Sequence, residues 1–183
     1  PVYKDEVREY PEIEVIEVIL NKEYGLNRIA EIIMRTIPYP MLLIFKLEDK
    51  IRFYMAHQRT SQSDSSKNTI EEFISTDWLS NDSALFAKLD IKQMRFTNFY
   101  TLYSDIVDAI SIYNLSAIMP TDDTVTGAKA RDPAAKIEDI EQRIANLRSK
   151  LKKETQFNRK MELNIEIKRL EQSKNKLLGG DDE

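Results

Sequence analysis

The chain has 183 residues, 42% of them hydrophobic and 32% charged, with a formal net charge of −4. That length allows one core of ordinary size and an extension beyond it. There is no cysteine and one histidine, which excludes a disulfide framework, a thiol nucleophile, a Cys–His pair and any cysteine or multi-histidine metal site. No apolar run approaches the roughly 18 residues that a membrane span requires, so no membrane partner is expected, and a cysteine-free chain fits a reducing cytoplasm. None of the four glycines lies in a phosphate-cradling cluster, so nucleotide loops of the usual types are excluded as well.

In chain order, residues 2–10 read as a charged approach segment. From Glu12 to Leu20 β-branched residues dominate, which predicts a strand. Its alternation slips at Val15-Ile16, pointing to a bulge or to burial of both faces. Residues 21–25 form a turn. Leu26, Ile29, Ile33 and Ile37 then recur at helical spacing with Arg28, Glu31 and Arg35 opposite. This predicts an amphipathic helix, Leu26–Thr36, that Pro38 ends. The apolar run Met41-Leu42-Leu43-Ile44-Phe45, entered through Pro38-Tyr39-Pro40, is too short for a core helix. It reads as the central strand of a sheet, covered on both faces, with Ile44 fully buried. Strand, helix and strand in that order imply a right-handed crossover between parallel neighbours.

Glu48-Asp49-Lys50 is a polar turn, and the alternation from Ile51 to His57 supplies an antiparallel hairpin partner. Residues 59–68 form a serine-rich polar loop, and residues 69–75 a further strand with Phe73 inward. Trp78 follows as a cap on the sheet. Phe96, Phe99, Tyr103, Ile106, Val107 and Ile110 mark a second long helix over 96–114, its aromatic stripe packed on the sheet. Residues 120–133 have no apolar periodicity and read as a linker.

Beyond the linker the composition changes, with no Gly or Pro from 134 to 178. Ile137, Ile140, Ile144, Leu147 and Leu151 follow a coiled-coil seam, which fails at Glu154 and Asn158. A second series runs Leu163, Ile167, Leu170, Lys174 and Leu177, with Phe157 and Met161 near its start. The phase break predicts two antiparallel helices turning at 154–156; one long helix with a stutter is the rival. Residues 179–183 read as a disordered tail. The fold class is therefore α+β. A small mixed sheet in β-α-β-β-β order with packed helices occupies 1–119, the linker 120–133, and a C-terminal antiparallel helical hairpin or coiled coil 134–178.

Several stretches carry a resemblance. Pro11-Glu12-Ile13-Glu14-Val15, Ile37-Pro38-Tyr39-Pro40, Ser63-Asp64-Ser65-Ser66-Lys67, Glu72-Phe73 and Thr76-Asp77-Trp78-Leu79 form one set. With the run from Glu154 to Asn164, they resemble the bacterial domain-of-unknown-function 4391 family over nearly the whole chain. The resemblance implies no established activity. It implies a gene neighbourhood of helicases and DNA methyltransferases in restriction-like defence loci, hence a phage-defence setting. Family members commonly carry an upstream portion, and the opening Pro1 fits the expectation that one precedes this chain. Locally, the run from Phe157 to Leu163, with Ile167 and Leu170, is similar in spacing to the second half of the UVR hairpin of bacterial excision-repair proteins. Here Lys160 and Met161 replace that motif's paired alanines. The likeness implies hairpin geometry used for protein contacts, and no repair function.

His57 is a structural side chain on the face of Ile51, Phe53 and Met55, since a general base would need an orienting partner and a nucleophile. The catalytic alternative is a metal-dependent nuclease or phosphodiesterase built from Glu14, Glu17, Asp64, Lys67 and Asp77, with Lys22 nearby. Glu14 and Glu17 are three apart and point to opposite faces unless a bulge realigns them, so a charged, solvated strand edge is the simpler reading. No cofactor and no bound metal are expected.

Charge separates the two halves. Residues 1–135 carry a net of −6 and residues 136–178 a net of +5. Lys150, Lys152, Lys153, Arg159 and Lys160 are the candidate phosphate contacts, against a solvated face of ion-paired helix. The leading expectation is a non-catalytic assembly subunit that docks a protein partner, a helicase or methyltransferase of the same locus, or a second copy of itself. The docking residues are Leu147, Leu151, Phe157, Met161, Leu163, Ile167 and Leu170.

Overall fold

The structure, a computed structural model, describes residues 1–61, 68–118, 121 and 124–178. Its chain divides into two units, Pro1–Asn114 and Leu115–Glu183. In the first unit the sheet forms in the expected order. Strand β3 (Glu14–Ile19) leads through helix α1 (Leu26–Thr36) to β4 (Met41–Leu47), then β5 (Lys50–Thr60) and β6 (Asn68–Ser75). Strands β3 and β4 are parallel, the other pairs antiparallel, and the spatial order follows the chain. Gly25, with φ of 64°, makes the left-handed turn into α1, a conformation glycine adopts without a Cβ penalty.

Alternation along the inner strands divides the core into two layers. Met41, Leu43 and Phe45 of β4 and Tyr54 and Ala56 of β5 face Leu26, Ala30 and Met34 of α1. Phe53 and Met55 face the opposite way, onto Tyr103, Val107 and Ile110 of helix α3 (Phe99–Ile118). The aromatic stripe of that helix is core packing. Met41–Phe45 is an inner strand as predicted, but Ile44 is half-buried. It lies on the α3 side opposite Glu17 of β3, and there the sheet is uncovered: Val15 is 62% and Ile19 77% exposed. The expected bulge at Val15-Ile16 is absent, because Glu14 to Ile19 pair one for one with Met41 to Lys46. The apparent slip in the sequence is apolar residues left on an open face.

Three further differences have local causes. The approach segment folds into a small antiparallel pair, β1 (Tyr3–Lys4) and β2 (Glu9–Tyr10). The Asp5 carboxylate closes its turn by accepting the Val7 and Arg8 amides at 2.7 and 2.5 Å. Helix α3 begins at Phe99 rather than 96, because the Asn98 side chain accepts the Thr101 amide at 2.8 Å and so caps it. Phe96 is left half-exposed. Between β6 and α3 lie a four-residue helix α2 (Leu85–Lys88) and a 3₁₀ turn, Ile91–Gln93. Trp78 is half-buried against the α1 layer, its indole N–H donating to Glu23 at 2.7 Å.

In the second unit, α4 (Gly127–Arg131) lies within the stretch read as linker. The Thr126 hydroxyl caps it and Ala130 is fully buried. Helices α5 (Pro133–Lys153) and α6 (Phe157–Leu177) follow, equal in length and joined by a three-residue turn. This is the hairpin, not one long helix. The Glu154 carboxylate accepts the Thr155 and Gln156 amides at 2.7 and 2.9 Å and so fixes the reversal. Ile140, Ile144 and Leu147 of α5 meet Ile167 and Leu170 of α6 in the buried seam. Ion pairs Arg143–Glu166, Arg148–Glu171 and Glu141–Lys174 span it. Among the described residues no helix is long and apolar enough to cross a membrane. The tail at 179–183 lies outside the described residues.

Candidate functional site

Among the described residues, the acids singled out in the sequence are not brought together. Along the regular β3, Glu14 points to the α1 side and Glu17 to the opposite face, where it pairs with Lys46 at 2.5 Å. Asp77 follows β6 at the other edge, three strands from β3. That is roughly 14 Å at the usual strand spacing, well beyond what one cation bridges. Lys22 lies over the Tyr24 ring, 5.5 Å from its centroid. Asp64 and Lys67 lie outside the described residues. Among the described residues no group of three His, Asp or Glu side chains could hold a metal ion.

The histidine does have neighbours that sequence reasoning missed. His57 sits within β5 rather than at its end, where the register with β6 shifts. There Glu71 and Glu72 together oppose the single His57, a β-bulge. Tyr10, delivered by β2, places its hydroxyl 2.8 Å from His57 Nδ1 and accepts the Gln58 amide at 3.3 Å. Burial holds the Tyr10 phenol well above its ordinary range, so it stays protonated beside the imidazole; which of the two donates is set by the histidine tautomer. Tyr103, fully buried, bonds to the Met41 and Ala56 carbonyls at 2.8 and 2.9 Å and accepts the Ala56 amide at 3.1 Å. Arg8 donates to Glu71 at 2.8 Å and lies over the Tyr100 ring. These contacts lock the first hairpin and α3 onto the sheet. The only advance signal was Tyr3 and Tyr10 framing a turn at Asp5.

The hairpin sorts its candidate docking residues by face. Leu147, Ile167 and Leu170 are buried in the seam, and Leu151 and Leu163 are half-buried at its margin. They hold the two helices together. Phe157 and Met161 are 74% and 50% exposed, and Ile165, which lies outside the predicted series, is also 50% exposed. At 3.6 residues per turn, positions 157, 161 and 165 form a row on the side of α6 turned away from the seam. Helix α6 therefore has two apolar faces, and only one is satisfied by α5. The spacing of four from Phe157 was the signal that could have identified Ile165.

The five candidate phosphate contacts also separate. Lys150, Lys153 and Arg159 border a groove of about 690 Å³ between α5 and α6 near the turn, floored by Leu147 and Leu163. Lys152 and Lys160 lie outside it. Arg159 pairs with Glu162 at 2.9 Å; the four lysines make no ion pair among the described residues.

No curated protein matches this chain, and no solved structure matches it. A family model described as a domain of unknown function (DUF4391) matches residues 1–173, spanning both units. With that span, the chain belongs to the DUF4391 family.

Proposed function

We propose that this protein is a non-catalytic assembly subunit that docks a protein partner through the outer face of α6. The observation that carries this reading is the row Phe157, Met161 and Ile165, each half-exposed or more on the side away from α5. Exposed apolar side chains recurring every four residues on a helix are the usual anchors of helix-in-groove or helix-on-helix recognition. The partner we favour is a helicase or DNA methyltransferase encoded at the same locus, in a restriction-like or phage-defence system. That places the protein in the cytoplasm. The separation of Glu14, Glu17 and Asp77 supports assembly over the metal-dependent nuclease alternative.

Affinity capture of the tagged full-length protein from its native host, with partners identified by mass spectrometry, tests the reading. A stoichiometric partner captured by the natural protein should be lost with Met161→Glu combined with Ile165→Glu. Both side chains are half-exposed, so the hairpin should keep its fold. Equal capture by both proteins would remove the row from consideration. Metal-dependent cleavage of nucleic acid by the purified chain, abolished by Glu17→Gln or Asp64→Asn, would favour the nuclease reading instead.

A further inference from the structure

The positive charge of the hairpin is concentrated at one place. Residues 147–161, around the turn, hold six Lys and Arg against one Glu. That net of +5 stands in a chain whose total is −4, so the remainder is at −9. The groove at this end is bordered by Arg143, Lys150, Lys153 and Arg159, and its two acids are already engaged. Glu166 accepts from Arg143 at 2.7 Å, and Glu154 is held by the Thr155 and Gln156 amides. Arg159 has a single exposed partner, Glu162. Lys150 and Lys153 are exposed and have no carboxylate within ion-pair distance among the described residues.

We propose that this groove binds the phosphodiester backbone of a nucleic acid. An acidic protein surface would offer the same sign of charge, but lysine is depleted in the cores of protein–protein interfaces. On phosphate backbones, lysine and arginine supply both contact and counterion release. The acidic remainder of the chain repels a polyanion, so contact is confined to this end and involves only a few phosphates. The site is distinct from the docking row, which occupies the opposite side of α6, and it stands whether or not that row binds a protein.

The experiment is fluorescence anisotropy of the full chain with labelled single-stranded DNA, single-stranded RNA and duplex DNA at low salt. Binding should weaken with salt at a logarithmic slope of about −2 to −3, as expected for three or four contacts to a single strand. Lys150→Glu with Lys153→Glu should weaken it at least about tenfold, while Lys152→Glu with Lys160→Glu, the same change in net charge outside the groove, should cost less than about threefold. An unchanged thermal transition would show that both variants fold. The strand bound most tightly identifies the biological source of the phosphates. No binding at low salt, or equal losses from the two double variants, would overturn the proposal. Displacement by polyglutamate at the same charge concentration as DNA would also overturn it, in favour of an acidic protein ligand.

Discussion

Tyr103 shows how much a single hydroxyl can organise. It is fully buried, yet it satisfies the amide of Ala56 and reaches the carbonyls of Met41 and Ala56 on two adjacent strands. Tyr103→Phe leaves buried backbone groups unpaired, and should cost about 1–3 kcal/mol in denaturant unfolding. Burial also raises the pKa of Tyr103 and of Tyr10 above the ordinary phenol value. Above pH of about 10 the unfolded chain loses phenolic protons that the folded chain retains, so the stability present below that pH declines as pH rises. The natural protein should show this alkaline decline in its melting temperature, and Tyr103→Phe should show a shallower one. An identical slope in both would mean that Tyr103 is not the retained proton. None of this was visible in the sequence, where Tyr103 was one aromatic in a helical stripe. A hydroxyl's partners are set by which strands the helix crosses.

At the scale of elements, β4 is the strand whose damage should be most general. Phe45 is fully buried and its ring lies tilted against Tyr54, with ring centroids 4.8 Å apart. Phe45→Ala should destabilise the first unit by about 3–5 kcal/mol. A loss below 1 kcal/mol, measured by chemical denaturation, would contradict its place in the core. The apolar run from Met41 and the helical period from Leu26 made the strand, the crossover helix and the β-α-β-β-β order legible. Local patterns carry that information because short apolar runs and 3.6-residue periods each admit few structures. Open faces are not legible: the pattern predicts a buried Ile44 and, at Val15-Ile16, a bulge or burial of both faces, whereas Val15 and Ile19 lie exposed. Which part of a sheet a helix covers depends on packing that no single strand encodes. The hairpin turn was legible through its phase break. The two faces of α6 are not separated by the sequence pattern, in which Phe157 and Met161 lead into the same series as Leu163 and Ile165 falls outside it.

At the scale of the molecule, two units of different composition share one chain, an acidic sheet unit and a helical one whose hairpin, residues 136–178, is basic. The first has its own two-layer core, so a chain ending after Ile118 should retain a cooperative thermal transition while losing partner capture. Loss of that transition would show that the sheet unit depends on the second unit to fold. The candidate site was half legible: its location on the hairpin followed from the apolar seams, but buried and available residues could not be told apart there. The most direct measurement is the affinity of the purified full chain for the captured partner, with and without Met161→Glu and Ile165→Glu. If the outer face of α6 is the docking surface, these central anchors account for about 2–4 kcal/mol of the binding, or roughly a 30- to 1000-fold weakening. An affinity changed less than about threefold, with the fold intact, would contradict it.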